Sequence, residues 1–398
     1  MAANVFKTGP FAGVPVTDTF AKAALRQSPI IYHLPPVTWP ANLRPTSAPL
    51  GNYAPGSMIS SAVDKSVNAD VLIVLYTDQE TQALLDVFTG DSSWDESTKA
   101  QWCKYGHNFA KFKKRMSNPK ATSVLAAGAF GLLSAIKIAS KTVVLYKSEL
   151  HPKQDGTGLP FVPVLQQLIT ELAPSLVITT GTAGAIGGQI ACGDVTVCTA
   201  ARFHVQKTYP SFTTIDTMST NQSQLTSSIS FDPQYVQYAA THFTQLSLPG
   251  LEQCYARLQA IPGYTFVKKN QLPPSIYVTG HNPVPGPQPM DIVSADYMTT
   301  DDNNNSEGLQ TLGIMNDTDD AFLFYAVSQI PSPKRPQIVS VRNASEPQMI
   351  HSPFPSTTTQ SEIVNILKDM AGTVYGIYQY CTTLNSAFAC WAVVAGLS

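Results

Sequence analysis

The chain has 398 residues, a formal net charge of -2, 43% apolar and 13% charged residues, which gives ample material for a buried core and excludes a disordered, charge-dominated chain. Its longest basic cluster, Lys111, Lys113, Lys114 and Arg115, is short and isolated, so it reads as a solvated helix face and nucleic acid is not an expected partner. The six cysteines (Cys103, Cys192, Cys198, Cys254, Cys381, Cys390) form no CxxC pair or Cys/His cluster, so neither a metal nor another cofactor is expected.

Residues 1–65 are rich in Pro, Ala, Ser and Thr, with HLPPVTWPANLRP at their centre, and cannot form a regular helix or a central strand. Phe6, Phe11, Phe20, Tyr32, Trp39 and Tyr53 make this an arm that packs on the body or on a neighbouring subunit, followed by one α/β domain over 66–398. The start lacks a charged-then-apolar leader and no apolar run reaches the ~18 residues of a spanning helix, so no membrane is expected. The reading is a soluble, cytoplasmic protein. Secretion after removal of a signal stays open, since Asn221 and Asn304 fit the glycosylation acceptor pattern.

From Val71 to Tyr76 an apolar run predicts a buried strand, and TDQETQALLDVF after it has helical spacing. A second strand is expected at Thr142–Lys147. The turn-rich loop SELHPKQDGTG, which carries His151, then leads into a helix beginning at Pro160. A strand at Ser175–Thr180 runs into the glycine-rich GTAGAIGG, expected as a turn, and a further strand spans Asp194–Phe203. Later elements are a strand near Met290–Ser294, a helix near Asp319–Gln329, a strand at Gln337–Arg342 and a helix over Gln360–Thr382. The closing SAFACWAVVAGL is expected to pack on the core or on another subunit. Buried strands alternating with helices imply an α/β layered domain.

Three segments carry chemistry. VITTGTAGAIGGQIACGDVTVCTAARFH (Val177 to His204) joins a strand, a Gly-Thr-x-Gly sequence and a Gly-Asp-Val strand start. Gly181 and Gly184 would let the main chain approach a ligand closely, with Thr182 and Ala183 between them. IMNDTDDAFLF (Ile314 to Phe324) places carboxylates at a helix start, where the helix dipole favours them, and IVSVRNASEP (Ile338 to Pro347) ends a strand in polar groups. Together, and in this order, they resemble the signature of the nucleoside phosphorylase and nucleosidase superfamily.

That resemblance implies a three-layer αβα sandwich around a mixed sheet, a purine nucleoside substrate and a homo-oligomer. It puts Asp319 on the ribose hydroxyls, which a carboxylate can accept in pairs, and Thr318 under the sugar. Glu346 falls on the acid that protonates or hydrogen-bonds the departing purine, with Ser345 orienting it and Arg342 bracing the strand end. Gly181, Thr182, Ala183 and Gly184 lie beside sugar and water, Glu80 or Thr81 near the attacking water, and Tyr297 or Met298 at the base. His204 and His151 are further candidates for acid/base work and for a closing loop.

The match breaks at two places. Where phosphorolytic members carry an Arg before the glycine sequence, this chain has Thr179, and Thr77, Asp78 and Gln79 replace a glycine-rich phosphate loop. Water is therefore the expected nucleophile, because a carboxylate repels a phosphate dianion. Glu346 stands where the family has Asp. Cleavage of the glycosidic bond of an adenine-type nucleoside is the first expectation. Zinc-independent deamination of adenosine in the same pocket, or binding without turnover, are the alternatives.

Overall fold

The computed structural model describes residues 34–90, 93–116, 123–152, 160–187, 190–204, 224–243, 274–279, 290–295, 309–346 and 359–397, with side chains of 360–374, 376 and 377 left aside. Tyr297, Met298, Asn221 and Asn304 lie outside them.

Val71–Leu75 (β3) is buried on both faces: Val71, Ile73 and Leu75 enter one apolar cluster, Leu72 and Val74 the other. This is how a continuous β-branched run behaves at the centre of a layered fold. β3 pairs in parallel with Lys141–Ser148 (β6) and with Leu176–Ala185 (β7). β7 in turn pairs in parallel with Gln337–Glu346 (β14) and antiparallel with Met315–Asp317 (β13). β13 adjoins Ile292–Ala295 (β12), which adjoins Ala200–His204 (β9). Beyond β6 the sheet continues antiparallel through Gly131–Ile138 (β5) and Cys103–Tyr105 (β4). The sheet is mixed, as expected.

Helices cover both faces. Asp78–Thr89 (α1) and Gln360–Ala395 (α5) share one cluster with β3 and β14, while Phe161–Leu172 (α2) and Asp320–Ser328 (α4) fill the other; the short Pro233–Ala240 (α3) sits against α5. The result is the three-layer αβα sandwich the sequence implies.

Local chemistry sets the helix ends. Thr77 and Glu80 form a reciprocal capping box at the start of α1, and Gly90 closes it in the left-handed region at φ 72°. Within α5, Leu384, Phe388, Trp391 and Val394 repeat at helical spacing and are buried.

Four expectations change. The glycine sequence 181–184 is not a turn: it is the second half of β7, kept extended because β14 pairs with it as far as Glu346 and β13 pairs with Gly184 and Ala185. The single strand expected over Asp194–Phe203 is two, Val195–Cys198 (β8) and β9, because β8 pairs with β14 whereas β9 pairs with β12. The helix expected to end at Thr382 runs on to Ala395, so the closing apolar segment, which packs on the core as expected, is the last third of α5. Pro160 stands at the N-cap of α2 and Phe161 is its first residue.

Part of the proline-rich region forms edge strands, Thr46–Ala48 (β1) on β5 and Met58–Ile59 (β2) on β4. Trp39 stacks on Trp391 at 5.0 Å between ring centroids, and Trp391 Nε1 donates to the Leu43 carbonyl at 2.8 Å. No helix among the described residues is long and apolar enough to cross a membrane. Trp391→Ala removes a fully buried indole and its bond to Leu43, and is expected to lower stability by about 3–5 kcal/mol in urea unfolding.

Candidate functional site

The C-terminal ends of β13 and β14, the start of α1 and the middle of β7 surround one cavity of about 200 Å³. At its floor lies Arg342, 1% exposed. Its Nε donates to Asp320 Oδ2 at 3.0 Å, and Nη2 bonds Asp320 Oδ1 and approaches Asp317 Oδ2 at 3.2 Å and Asp319 Oδ2 at 3.7 Å. Nη1 donates to the Thr182 carbonyl at 3.0 Å, and the guanidinium lies 5.3 Å from the Tyr76 ring centroid. The guanidinium is thus held by α4, β13 and β7 at once.

The three aspartates divide their work. Asp320, in the first turn of α4, also accepts from Thr179 Oγ1 at 2.6 Å and from Ser340 Oγ. Burial pushes its carboxyl up, but Arg342 and these donors outweigh it and hold Asp320 below its ordinary value. Asp317 accepts the Asp320 N–H at 2.8 Å and the Ser294 hydroxyl, and burial together with the Asp320 charge raises it well above the usual range. Asp317 therefore satisfies the helix start from outside it. Asp319, at the N-cap, makes no capping bond; its carboxylate faces the cavity, with Thr318 Oγ1 at 3.1 Å and His151 Nε2 at 3.7 Å. Burial raises it, opposed by His151 and Arg342.

Glu80 lies on the opposite wall, 2% exposed. Its Oε2 accepts from Tyr76 N at 3.2 Å and Thr77 N at 2.9 Å, and its Oε1 accepts from Thr182 N at 2.9 Å and Thr182 Oγ1 at 3.0 Å. Four donors on one carboxylate fix both the loop before α1 and the Thr182 hydroxyl. Gly181 makes this approach possible: at φ +148°, a Cβ there would lie 2.3 Å from Glu80 Oε1.

Of the residues singled out from the sequence, the structure gathers Glu80, His151, Thr182, Ala183, Thr318, Asp319 and Glu346 around the cavity. Gly184 lies in register between Asn316 and Glu346. Others lie elsewhere. Thr81 is buried and donates to the Thr77 carbonyl at 2.9 Å. The Ser345 hydroxyl is on the Ala183 carbonyl at 3.4 Å, joining β14 to β7. His204 ends β9 in register with Ala295, buried and outside the cavity lining.

Sequence reasoning missed three lining residues, Tyr76, Asn316 and Tyr375. Tyr375 comes from α5; burial, then the Glu80 and Glu346 charges, raise its phenol far above its ordinary value, so it stays protonated beside Thr182. The Thr-Asp-Gln-Glu capping pattern was the one available signal that the Glu80 side chain turns back toward the strand end.

No family model and no curated protein matches the chain. It is similar to the solved structure of 5'-methylthioadenosine/S-adenosylhomocysteine nucleosidase from Neisseria meningitidis in complex with methylthio-immucillin-A (14% identity, TM-score 0.38, 82% of this chain and 99% of that one). It is also similar to a futalosine hydrolase mutant from Helicobacter pylori (11%, 0.40, 82% and 99%). A third is uridine phosphorylase from Vibrio fischeri (14%, 0.34, 82% and 96%). By name these are a nucleosidase, a hydrolase and a phosphorylase, and the motifs of this chain resemble the nucleoside phosphorylase and nucleosidase superfamily. At such distances, function has to be read from this chain's own residues.

Two substitutions separate the aspartates. Asp320→Asn leaves the Arg342 charge buried without its main counter-charge and is expected to cost about 3–5 kcal/mol, whereas Asp317→Asn removes the more distant partner of Arg342 and is expected to cost less. Asp320, lowered in the folded state, contributes stability above the ordinary carboxylate range that is lost as pH falls through its folded value. Asp317, raised, has the opposite sign: it costs stability once pH climbs past the ordinary range. Urea unfolding from pH 3 to 8 should therefore show a shallower acid limb in Asp320→Asn and improved relative stability of Asp317→Asn toward neutral pH. Gly181→Ala forces an unfavourable φ and displaces Glu80, with an expected loss of at least about 2 kcal/mol.

Proposed function

We propose that the chain is a divergent member of this superfamily and hydrolyses the N-glycosidic bond of an adenine-type purine nucleoside. The supporting observation is the meeting in one cavity of Asp319, Glu346 and the Glu80–Thr182 pair, which come from four separate elements. Asp319 accepts hydrogen bonds from the two ribose hydroxyls. Glu346, at the end of β14, faces the base and gives its proton to the purine nitrogen as the C–N bond breaks and its electron pair leaves with the base. The Thr182 proton is committed to Glu80, so its oxygen presents lone pairs to a water. As that water adds to the sugar carbon, its proton passes to Thr182 Oγ1 while the Thr182 proton moves to Glu80 Oε1.

Phosphate fits the cavity poorly as a nucleophile. Arg342 is the cation at its floor, and its Nε, Nη1 and Nη2 are already bonded to Asp320, Thr182 and Thr179 or the aspartates. Glu80, Asp317, Asp319 and Glu346 line the same space. Added phosphate meets these carboxylates and finds no unengaged fork.

A second reading follows from the extra methylene of Glu346 relative to the family's Asp. The longer acid can serve a water that attacks the amino-bearing carbon of the purine, giving deamination with the same sugar contacts.

Incubation with adenosine in phosphate-free buffer containing a chelator separates the two. Adenine plus ribose establishes hydrolysis; inosine plus ammonia establishes deamination; no turnover with or without phosphate leaves a binding protein. In either catalytic case Glu346→Gln is expected to lower kcat by about 10²–10⁴-fold with nucleoside affinity retained, and Asp319→Asn is expected to act mainly through KM.

A further inference from the structure

Asn316, like Tyr76 and Tyr375, lines the cavity and takes no part in the proposed chemistry. It lies on β13, is fully buried, and lines the cavity. Its Nδ2 donates to the Val293 carbonyl at 3.0 Å and to the Asp317 carbonyl at 3.3 Å. Two carbonyl oxygens on one end of the carboxamide fix its orientation: the nitrogen must face them, so Oδ1 faces away. Among the described residues that Oδ1 has no hydrogen-bond partner. A buried, unpaired amide oxygen is costly, and of the described residues Asn316 is the one that both carries one and lines the cavity, where a ligand can complete it.

Register shows which part of a ligand it meets. Asn316 is paired across the sheet with Gly184, and Gly184 is paired on its other edge with Glu346, just past a register shift that leaves Ser345 as the extra residue. Directly paired residues project to the same face. Asn316 and Glu346, which both line the cavity, flank a position with no side chain, on strands whose backbones stand roughly 9.5 Å apart, twice the interstrand spacing. A flat heterocycle fits between two such side chains. The sugar-facing groups, Asp319 and the Glu80–Thr182 pair, lie on other elements.

We infer that Asn316 is a specificity-determining residue of this site, its Oδ1 accepting a hydrogen bond from the exocyclic amine of a 6-aminopurine held across Gly184 between Asn316 and Glu346. The inference rests on the nucleoside reading above and deepens it by naming what selects the base. Glu346 handles the ring nitrogen and Asn316 handles the amine. An oxo-purine turns a carbonyl lone pair toward Oδ1, and a 6-methylpurine offers it no donor, so both leave the oxygen unpaired.

Calorimetric titration of the full chain with adenine and with 6-methylpurine tests this, since free bases carry no glycosidic bond to break. The parent protein is expected to prefer adenine by on the order of tenfold to a hundredfold. In Asn316→Val that preference collapses to within about twofold, with 6-methylpurine affinity nearly unchanged. Asn316→Thr, which keeps a hydroxyl oxygen in nearly the same volume as Val, recovers part of it and shows that packing is not the cause. An equal affinity of the parent for both bases, or a variant that weakens both equally or retains the preference, overturns the assignment while leaving the nucleoside reading intact. If the parent binds neither base and neither binds nor turns over adenosine, both readings fall together.

Discussion

The site depends on one buried cation. Arg342 sits on β14, but its guanidinium is bonded to the first turn of α4, to the end of β13 and to the backbone of β7. An unpaired guanidinium in such a place would be untenable, and removing one partner of a buried pair typically costs about 3–5 kcal/mol. Asp320 meets that requirement with both carboxylate oxygens, and Thr179 and Ser340 complete the remaining lone pairs. Thr179 therefore has a structural reason to be a threonine: a second arginine there would have to share Asp320 with Arg342 inside the sheet. The threonine at 179 and the satisfaction of Arg342 are one arrangement seen from two sides.

From that arrangement the carboxylates sort themselves by geometry. Asp317 accepts a helix N–H, so Asp319 is released from the capping task its position would ordinarily assign and can face the cavity. Glu80 is held by four donors, which makes it an anchor for the Thr182 hydroxyl and lets it take a proton only by way of that hydroxyl. Carboxylates of similar composition thus take different roles because the number and kind of donors around each differ.

Much of the fold was legible in the sequence because β3, β6, β7 and β14 are central strands whose apolar runs have no competing helical period. That Asp319 and Glu346 line the cavity was legible for a different reason: each lies at or just past a strand end in a recognisable motif, and strand ends are where an α/β sheet opens. What failed has physical causes. GTAGA reads as a turn by composition, but partner strands on both edges hold it extended, and tertiary pairing overrides local preference. Ser345 was implied by the motif resemblance and His204 by its place after the Gly-Asp-Val strand; in the fold, Ser345 meets a main-chain acceptor on β7 and His204 ends β9 away from the cavity lining. Tyr375 could not be found from local pattern, since only the packing of α5 across the sheet brings it to Thr182.

Asn316 shows a further limit of motif reading. It lies inside a matched segment, yet motif matching weighs the acidic residues there and ignores a neutral amide beside them. Its use becomes visible only when hydrogen bonds are counted atom by atom, because the informative observation is a lone pair left over rather than a contact made. The same count explains why Glu80, more conspicuous in sequence, has less to offer a ligand: all its acceptor capacity is spent inside the protein. In a cavity whose lining includes four carboxylates, a neutral amide is suited to discriminate between bases, since its open acceptor rewards a donor and penalises an acceptor without altering the charge balance that holds Arg342.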